Sequence, residues 1–187
     1  MWWRDKAEAL GRVMRLATAM AAAGLVAGCF QPLYGNQSGP TASVAGALAA
    51  VEVLQIDAPQ GTPEARVAVE LRNDLLFALT GGSGGLSPAH RLKITLSISH
   101  MAVIVDITTG RTEDEVTGID ATFTMTELAT GKVVATGSSF ARVTSDVPGQ
   151  EQRFARARAQ RDAENRAAQV VADQIKSRLA SYFVAGT

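Results

Sequence analysis

The chain has 187 residues, with 18 basic and 18 acidic side chains and a formal net charge of zero. A nucleic-acid binder would carry a basic excess. Two histidines and one cysteine leave few residues for metal or nucleophilic chemistry. The cysteine, Cys29, ends the stretch Leu25-Val26-Ala27-Gly28-Cys29. Ahead of it lie a basic start (Arg4, Lys6, Arg12 and Arg15 against Asp5 and Glu8) and an apolar run from Leu16 to Gly28. A basic n-region, a short apolar h-region and small residues before a cut describe an export signal. The apolar run is about 13 residues, and a spanning helix needs about 20. The arrangement resembles a bacterial lipobox, in which the thiol takes a diacylglycerol and the new amino terminus is acylated.

Cleavage before Cys29 would remove four basic and two acidic residues, leaving 159 residues with 14 basic and 16 acidic side chains. That length supports one domain with a real core. With Cys29 carrying lipid, no disulfide is available, so the mature fold must hold by packing. Several acyl chains on one residue make anchoring effectively permanent. The expected organisation is a signal peptide at 1–28, a lipidated tether at 29–45 and a single α+β domain at 46–187. Asn36 to Ser43 is rich in Ser, Gly, Pro, Gln and Asn and reads as tether.

Val51 to Asp57 is rich in Val, Leu and Ile and predicts a first strand. Thr62-Pro63-Glu64 predicts a helix start: a capping hydroxyl, a proline suited to the first turn, and a carboxylate at the positive end of the dipole. Ala68, Leu71, Leu75 and Leu79 form one apolar stripe, and Gly81-Gly82 predicts the stop. Gly81-Gly82-Ser83-Gly84-Gly85 matches G-x-S-x-G, the pattern around a hydrolase serine. A nucleophile elbow runs from strand to helix, whereas this loop runs from helix to strand, so Ser83 reads as plain loop.

Arg91 to His100 alternates strictly: Leu92, Ile94, Leu96 and Ile98 face one way, Lys93, Thr95, Ser97 and Ser99 the other. The alternation shifts at His100-Met101, where a bulge is expected, and Met101, Val103 and Val105 then carry the apolar positions. Thr108 to Val116 reads as a solvated loop. Its Glu113, Asp114 and Glu115 lack the spacing of metal ligands. Ile119 to Glu127 and Val133 to Val143 are strands joined by the turn Ala129-Thr130-Gly131-Lys132. After Pro148-Gly149, Gln150 to Tyr182 lacks Pro and Gly and predicts a long helix with a stripe of Ala168, Val171, Ile175, Leu179 and Tyr182. Its first half carries Arg153, Arg156, Arg158, Arg161 and Arg166, which read as a solvated face. The expected fold class is therefore α+β: a two-layer sandwich of two helices on a four-stranded mixed, mostly antiparallel sheet whose other face stays open.

Cys29-Phe30-Gln31-Pro32-Leu33-Tyr34-Gly35 resembles the start of the LptE family of lipopolysaccharide-assembly lipoproteins, in its alphaproteobacterial form. Leu71-Arg72-Asn73 with Leu75 and Leu79 is similar to that family as well. So are Arg161-Asp162-Ala163-Glu164, Ala172-Asp173-Gln174-Ile175 and Arg178-Leu179. The resemblance implies a protein with no enzymatic activity and no cofactor or metal, held by lipid at the periplasmic face of the outer membrane. Its implied partners are the LptD β-barrel, which it plugs and helps to assemble, and lipopolysaccharide on its way to the outer leaflet. Phe30 in place of Asp after the cysteine fits outer-membrane sorting. Arg91, Lys93 and Lys132 are the candidate lipopolysaccharide-binding residues, as cations near a sheet end able to pair with lipid A phosphates. The alternatives are an auxiliary lipoprotein of an ABC-type lipid transport system and a cell-wall synthase activator. His90 and His100 lie in no metal or triad motif.

Overall fold

A computed structural model describes residues 43–82, 86–105, 107, 108, 110, 112–146 and 152–185, all within the unit Asn36–Thr187. Cys29, Ser83 and Pro148-Gly149 lie outside the described residues. The element order is α1 (Val44–Ala49), β1 (Val51–Val53), α2 (Pro63–Thr80), β2 (His90–Val105), β3 (Thr112–Glu127), β4 (Val133–Asp146) and α3 (Arg153–Ala185). The strands form one sheet in the order β1-β2-β3-β4. β1 runs parallel to β2, and the other neighbours are antiparallel. The mixed α+β sandwich is the expected architecture, with a short extra helix, α1, capped by the Ser43 hydroxyl, which accepts from Gly46 N–H.

The first strand is shorter than its sequence suggests. Pairing with β2 ends at Val53, and Leu54 N–H adds one bond to Leu92 O at 3.0 Å. Beyond that point Ile56 is still buried, in the core shared by the sheet and the helices rather than in a ladder. α2 follows its sequence closely. Thr62 Oγ1 accepts from Ala65 N–H, and Gly81 adopts φ 65°, donating to Phe77 O at 2.8 Å. The Glu64 carboxyl sits below its ordinary value because it hydrogen-bonds to its own backbone N–H and to Thr62.

β2 and β3 are both longer than expected. β2 continues past His100, and its register shifts fall between Ala102 and Val105, two or more residues beyond the expected break. Met101 and Val103 do not carry a core stripe. They lie 63% and 53% exposed, because His100 and Glu115 face the α3 side chains Glu164 and Arg156, which leaves the odd positions of β2 on the face away from the helices. The acidic stretch expected as loop starts β3 instead: Glu115 pairs with Ala102, and Thr117 with His100. Thr117 is fully buried, so the chain there is constrained from both sides.

Both long helices pack on the sheet face formed by Leu92 and Ile94 of β2, Ile119, Ala121, Phe123 and Met125 of β3, and Ala141 of β4. α2 contributes Val67, Ala68, Leu71, Leu75 and Leu79. α3 contributes Val171, Ile175 and Leu179, with alanines at 163, 167, 168, 172 and 180. Alanine at that frequency lets the helix axis come close to its neighbours. Asp74 of α2 is half-buried, and its carboxyl is pushed up by desolvation, then by Glu70 and Asp173. A carboxyl raised in the folded state costs stability as pH climbs from the unfolded value through the folded one. Asp74→Asn is therefore expected to raise the thermal midpoint at pH 7 and to leave it unchanged at pH 3, read by paired melts.

Candidate functional site

The sheet face away from the helices is open and polar. Alternation and register put Lys93 beside Thr124, Thr95 beside Thr122, Ser97 beside Asp120 and Ser99 beside Gly118. β4 extends these rows with Thr136, Ser138, Phe140 and Arg142. Arg142 lies across the face and donates to both Asp120 oxygens, at 3.0 and 2.8 Å. Gly118 makes room for it, since a Cβ there would lie 2.9 Å from Arg142 Nε. The guanidinium sits 5.8 Å from the Phe140 ring centre, and Phe140 itself is 62% exposed. A hollow of about 210 Å³ is lined by Thr95, Ser97, Asp120, Thr122, Ser138 and Phe140.

The three candidate cations gather at one end of the sheet. Arg91 pairs in register with Thr126, which pairs with Val133, the residue after Lys132. Two strand spacings, about 10 Å, separate β2 from β4 there. The three differ in availability. Arg91 Nε donates to Glu52 Oε2 at 2.9 Å, so its charge is already matched. Lys93 and Lys132 are exposed and form no ion pair among the described residues.

At the same end, between the start of β4 and the end of α3, lies a cleft of about 560 Å³. Phe123, Val134, Thr136, Arg178, Ser181 and Tyr182 line it. Its shape depends on Gly137. A Cβ at that position would lie 2.7 Å from the Phe123 ring and 3.3 Å from Arg178 Nη1. Arg178 is exposed beside this apolar wall, a cation that charge and spacing along the helix did not single out. The usable signal in the sequence was the break in alternation around Gly137-Ser138-Ser139, which marks a close approach to the strand.

A second polar cluster lies at the opposite end. Glu164 of α3 is buried and takes Arg66 of α2, which also donates to Asn165 Oδ1 at 2.7 Å. His100 Nε2 lies 3.5 Å from Glu164, and its Nδ1 lies 3.1 Å from Glu115, which also faces Arg156 at 3.7 Å. Each carboxylate thus has a cation, and the cluster joins both helices to β2 and β3. That is the arrangement of a structural tie. A catalytic base instead waits with a free face toward substrate. No group of three metal-ligating side chains occurs among the described residues, and no described helix is long and apolar enough to cross a membrane.

No curated protein matches the sequence. Among solved structures, a chain from Caulobacter crescentus described as a lipoprotein aligns with a TM-score of 0.58 and 22% identity, covering 75% of this chain and 96% of its own. Rare lipoprotein B from Shewanella oneidensis aligns with a TM-score of 0.52 and 14% identity, covering 72% and 96%. At these identities the likeness shows a shared fold, and fold does not by itself imply function. The family assignment comes from the sequence. The model of the LptE family, described as lipopolysaccharide-assembly, matches residues 49–179, from the end of α1 to the last turns of α3. This chain belongs to the LptE family of lipopolysaccharide-assembly proteins.

Proposed function

We propose that this protein is an outer-membrane lipoprotein that plugs an LptD-type β-barrel, assists its assembly and helps lipopolysaccharide reach the outer leaflet. The family match over residues 49–179 carries the reading. The open Thr- and Ser-rich face supports it physically. Barrel interiors of this class are polar and wet, and such a face loses little on entering one. In this reading the protein makes and breaks no bonds. A detergent pull-down from the native envelope, with captured proteins identified by mass, tests it. An outer-membrane barrel is the expected partner. An inner-membrane transporter or a penicillin-binding protein in its place would overturn the assignment.

Two residue-level expectations belong to this reading. Cys29 is the lipid acceptor, and Cys29→Ala is expected to leave the leader uncleaved and the polypeptide without fatty acid. Mass analysis of the purified chain reads both. Arg91, Lys93 and Lys132 are proposed to meet lipid phosphates, with Lys93 and Lys132 contributing most because Glu52 already occupies Arg91. Exposed charge pairs are worth up to about 1 kcal/mol each. The triple change to Ala is therefore expected to weaken lipopolysaccharide binding about tenfold. Unchanged binding would remove these residues from the site.

A further inference from the structure

On β4, the Gln174 side chain of α3 satisfies the outward backbone groups of one residue: its amide donates to Phe140 O at 3.0 Å, and its carbonyl oxygen accepts from Phe140 N–H at 3.3 Å. On β2, the neighbour β1 reaches only from His90 to Leu92. Leu92 turns its carbonyl toward β1, where Leu54 N–H meets it. Backbone direction alternates along a strand. Ile94, Leu96, Ile98 and His100 therefore turn their N–H and C=O groups the same way, and among the described residues no strand lies there.

Burial agrees with an uncovered edge. Leu96 and Ile98 are only half-buried, while their partners across the ladder, Ala121 and Ile119, are 1% and 0% exposed. Edge strands are ordinarily guarded by charge, proline or an early bulge. From Ile94 to Ala102 the sequence has no Lys, Arg, Asp, Glu or Pro, and the register stays regular. Among the described residues no strand pairs with the β2 edge from Ile94 to His100, roughly 20 Å of unguarded backbone.

We propose that the free edge of β2, from Ile94 to His100, takes an added strand: an extended segment of the barrel partner lying outside its closed wall. This rests on the reading of function above and deepens it. A wall strand cannot serve, because each is already paired on both sides. The recognised segment alternates, with apolar side chains beside Leu96 and Ile98 and small polar ones beside Thr95, Ser97 and Ser99. A second copy fits less well. Paired antiparallel over the same stretch, its Ala102 falls opposite Leu92, whose carbonyl is already taken.

The test separates backbone from side chain. At Leu96 and Ile98 the N–H points to the free edge, so proline there breaks no bond to β3 and edge positions tolerate it. Leu96→Pro is compared with Leu96→Ala, and Ile98→Pro with Ile98→Ala, each expressed in the native envelope. Barrel co-purification is expected to fall about tenfold from each Ala variant to its Pro counterpart, the loss of one to two strand bonds. Equal capture would overturn the proposal. Should the Pro variants unfold, amide exchange of the unaltered chain decides. The amides of Ile94, Leu96, Ile98 and His100 should exchange freely in the isolated protein and slow at least about tenfold in the barrel complex. No slowing in the complex, or protection already present in the isolated protein, overturns the added strand while leaving the plug reading intact. Failure of the unaltered chain to capture any barrel defeats that reading itself, and the proposal with it.

Discussion

Arg66→Ala is expected to lower stability by about 3–5 kcal/mol, the cost of leaving a buried charge without its partner. The Glu164 side chain is 3% exposed beneath the helix pair, and Arg66 reaches it from the adjacent helix while holding Asn165. The remaining polar contact, His100 Nε2 at 3.5 Å, is longer, and the same ring also meets Glu115. The carboxylate therefore has no second arginine to turn to. Replacing both ends of the pair should behave differently. The double variant Arg66→Ala with Glu164→Leu is expected to recover most of the loss, because burying an apolar group of similar size avoids the unpaired charge. Urea unfolding of the two singles and the double supplies the cycle. A cost for Arg66→Ala below about 1 kcal/mol, or no recovery in the double, would show that the tie is a surface contact.

Gly137→Val should cost about 3 kcal/mol, at the upper end for overpacking a filled site. The first added carbon would fall 2.7 and 2.9 Å from two atoms of the Phe123 ring, and Phe123 is 4% exposed under the helices. The ring has little free space to retreat into. It packs over the strand because residue 137 has no side chain. Smaller changes should order themselves accordingly: Gly137→Ala below Gly137→Val, and Gly137→Ala combined with Phe123→Leu below Gly137→Ala alone. Thermal melts read the order. A Gly137→Val midpoint equal to that of the unaltered protein would mean that the close approach does not hold.

Local features were legible wherever a few neighbouring residues decide the outcome. Thr62, Pro63 and Glu64 start α2, and Gly81 stops it, through contacts within a single turn. The stripes through Leu71, Leu75 and Leu79, and through Val171, Ile175 and Leu179, became core because helical spacing already grouped them. The polar sheet face followed from the alternation of Thr95, Ser97, Thr122 and Thr124. The misreadings fell where distant chain intervenes. Glu115 looked like loop because it is acidic and surrounded by polar residues, but inside a strand it faces Arg156 at 3.7 Å and His100 at 3.1 Å. Val51 to Asp57 looked like one strand, yet pairing ends after Val53 and the chain turns toward the helices. Met101 and Val103 looked like core, but they lie on the sheet face away from the helices.

The order of elements, the faces of the helices and strands, and the small open-faced architecture were set by residue patterns of period two and about three and a half, which act over a few bonds. Family membership likewise belongs to the sequence, since the match runs through residues 49–179. Only the tertiary structure decided that Glu52 pairs with Arg91 and not with Lys93 or Lys132, that Arg178 overlooks a cleft beside Gly137, and that β1 leaves the β2 edge beyond Leu92 without a strand among the described residues. Those outcomes depend on residues far apart in the chain, such as Glu52 with Arg91 and Arg66 with Glu164. Periodicity is blind to such pairs, because their meeting depends on how the layers dock and not on the spacing within either one.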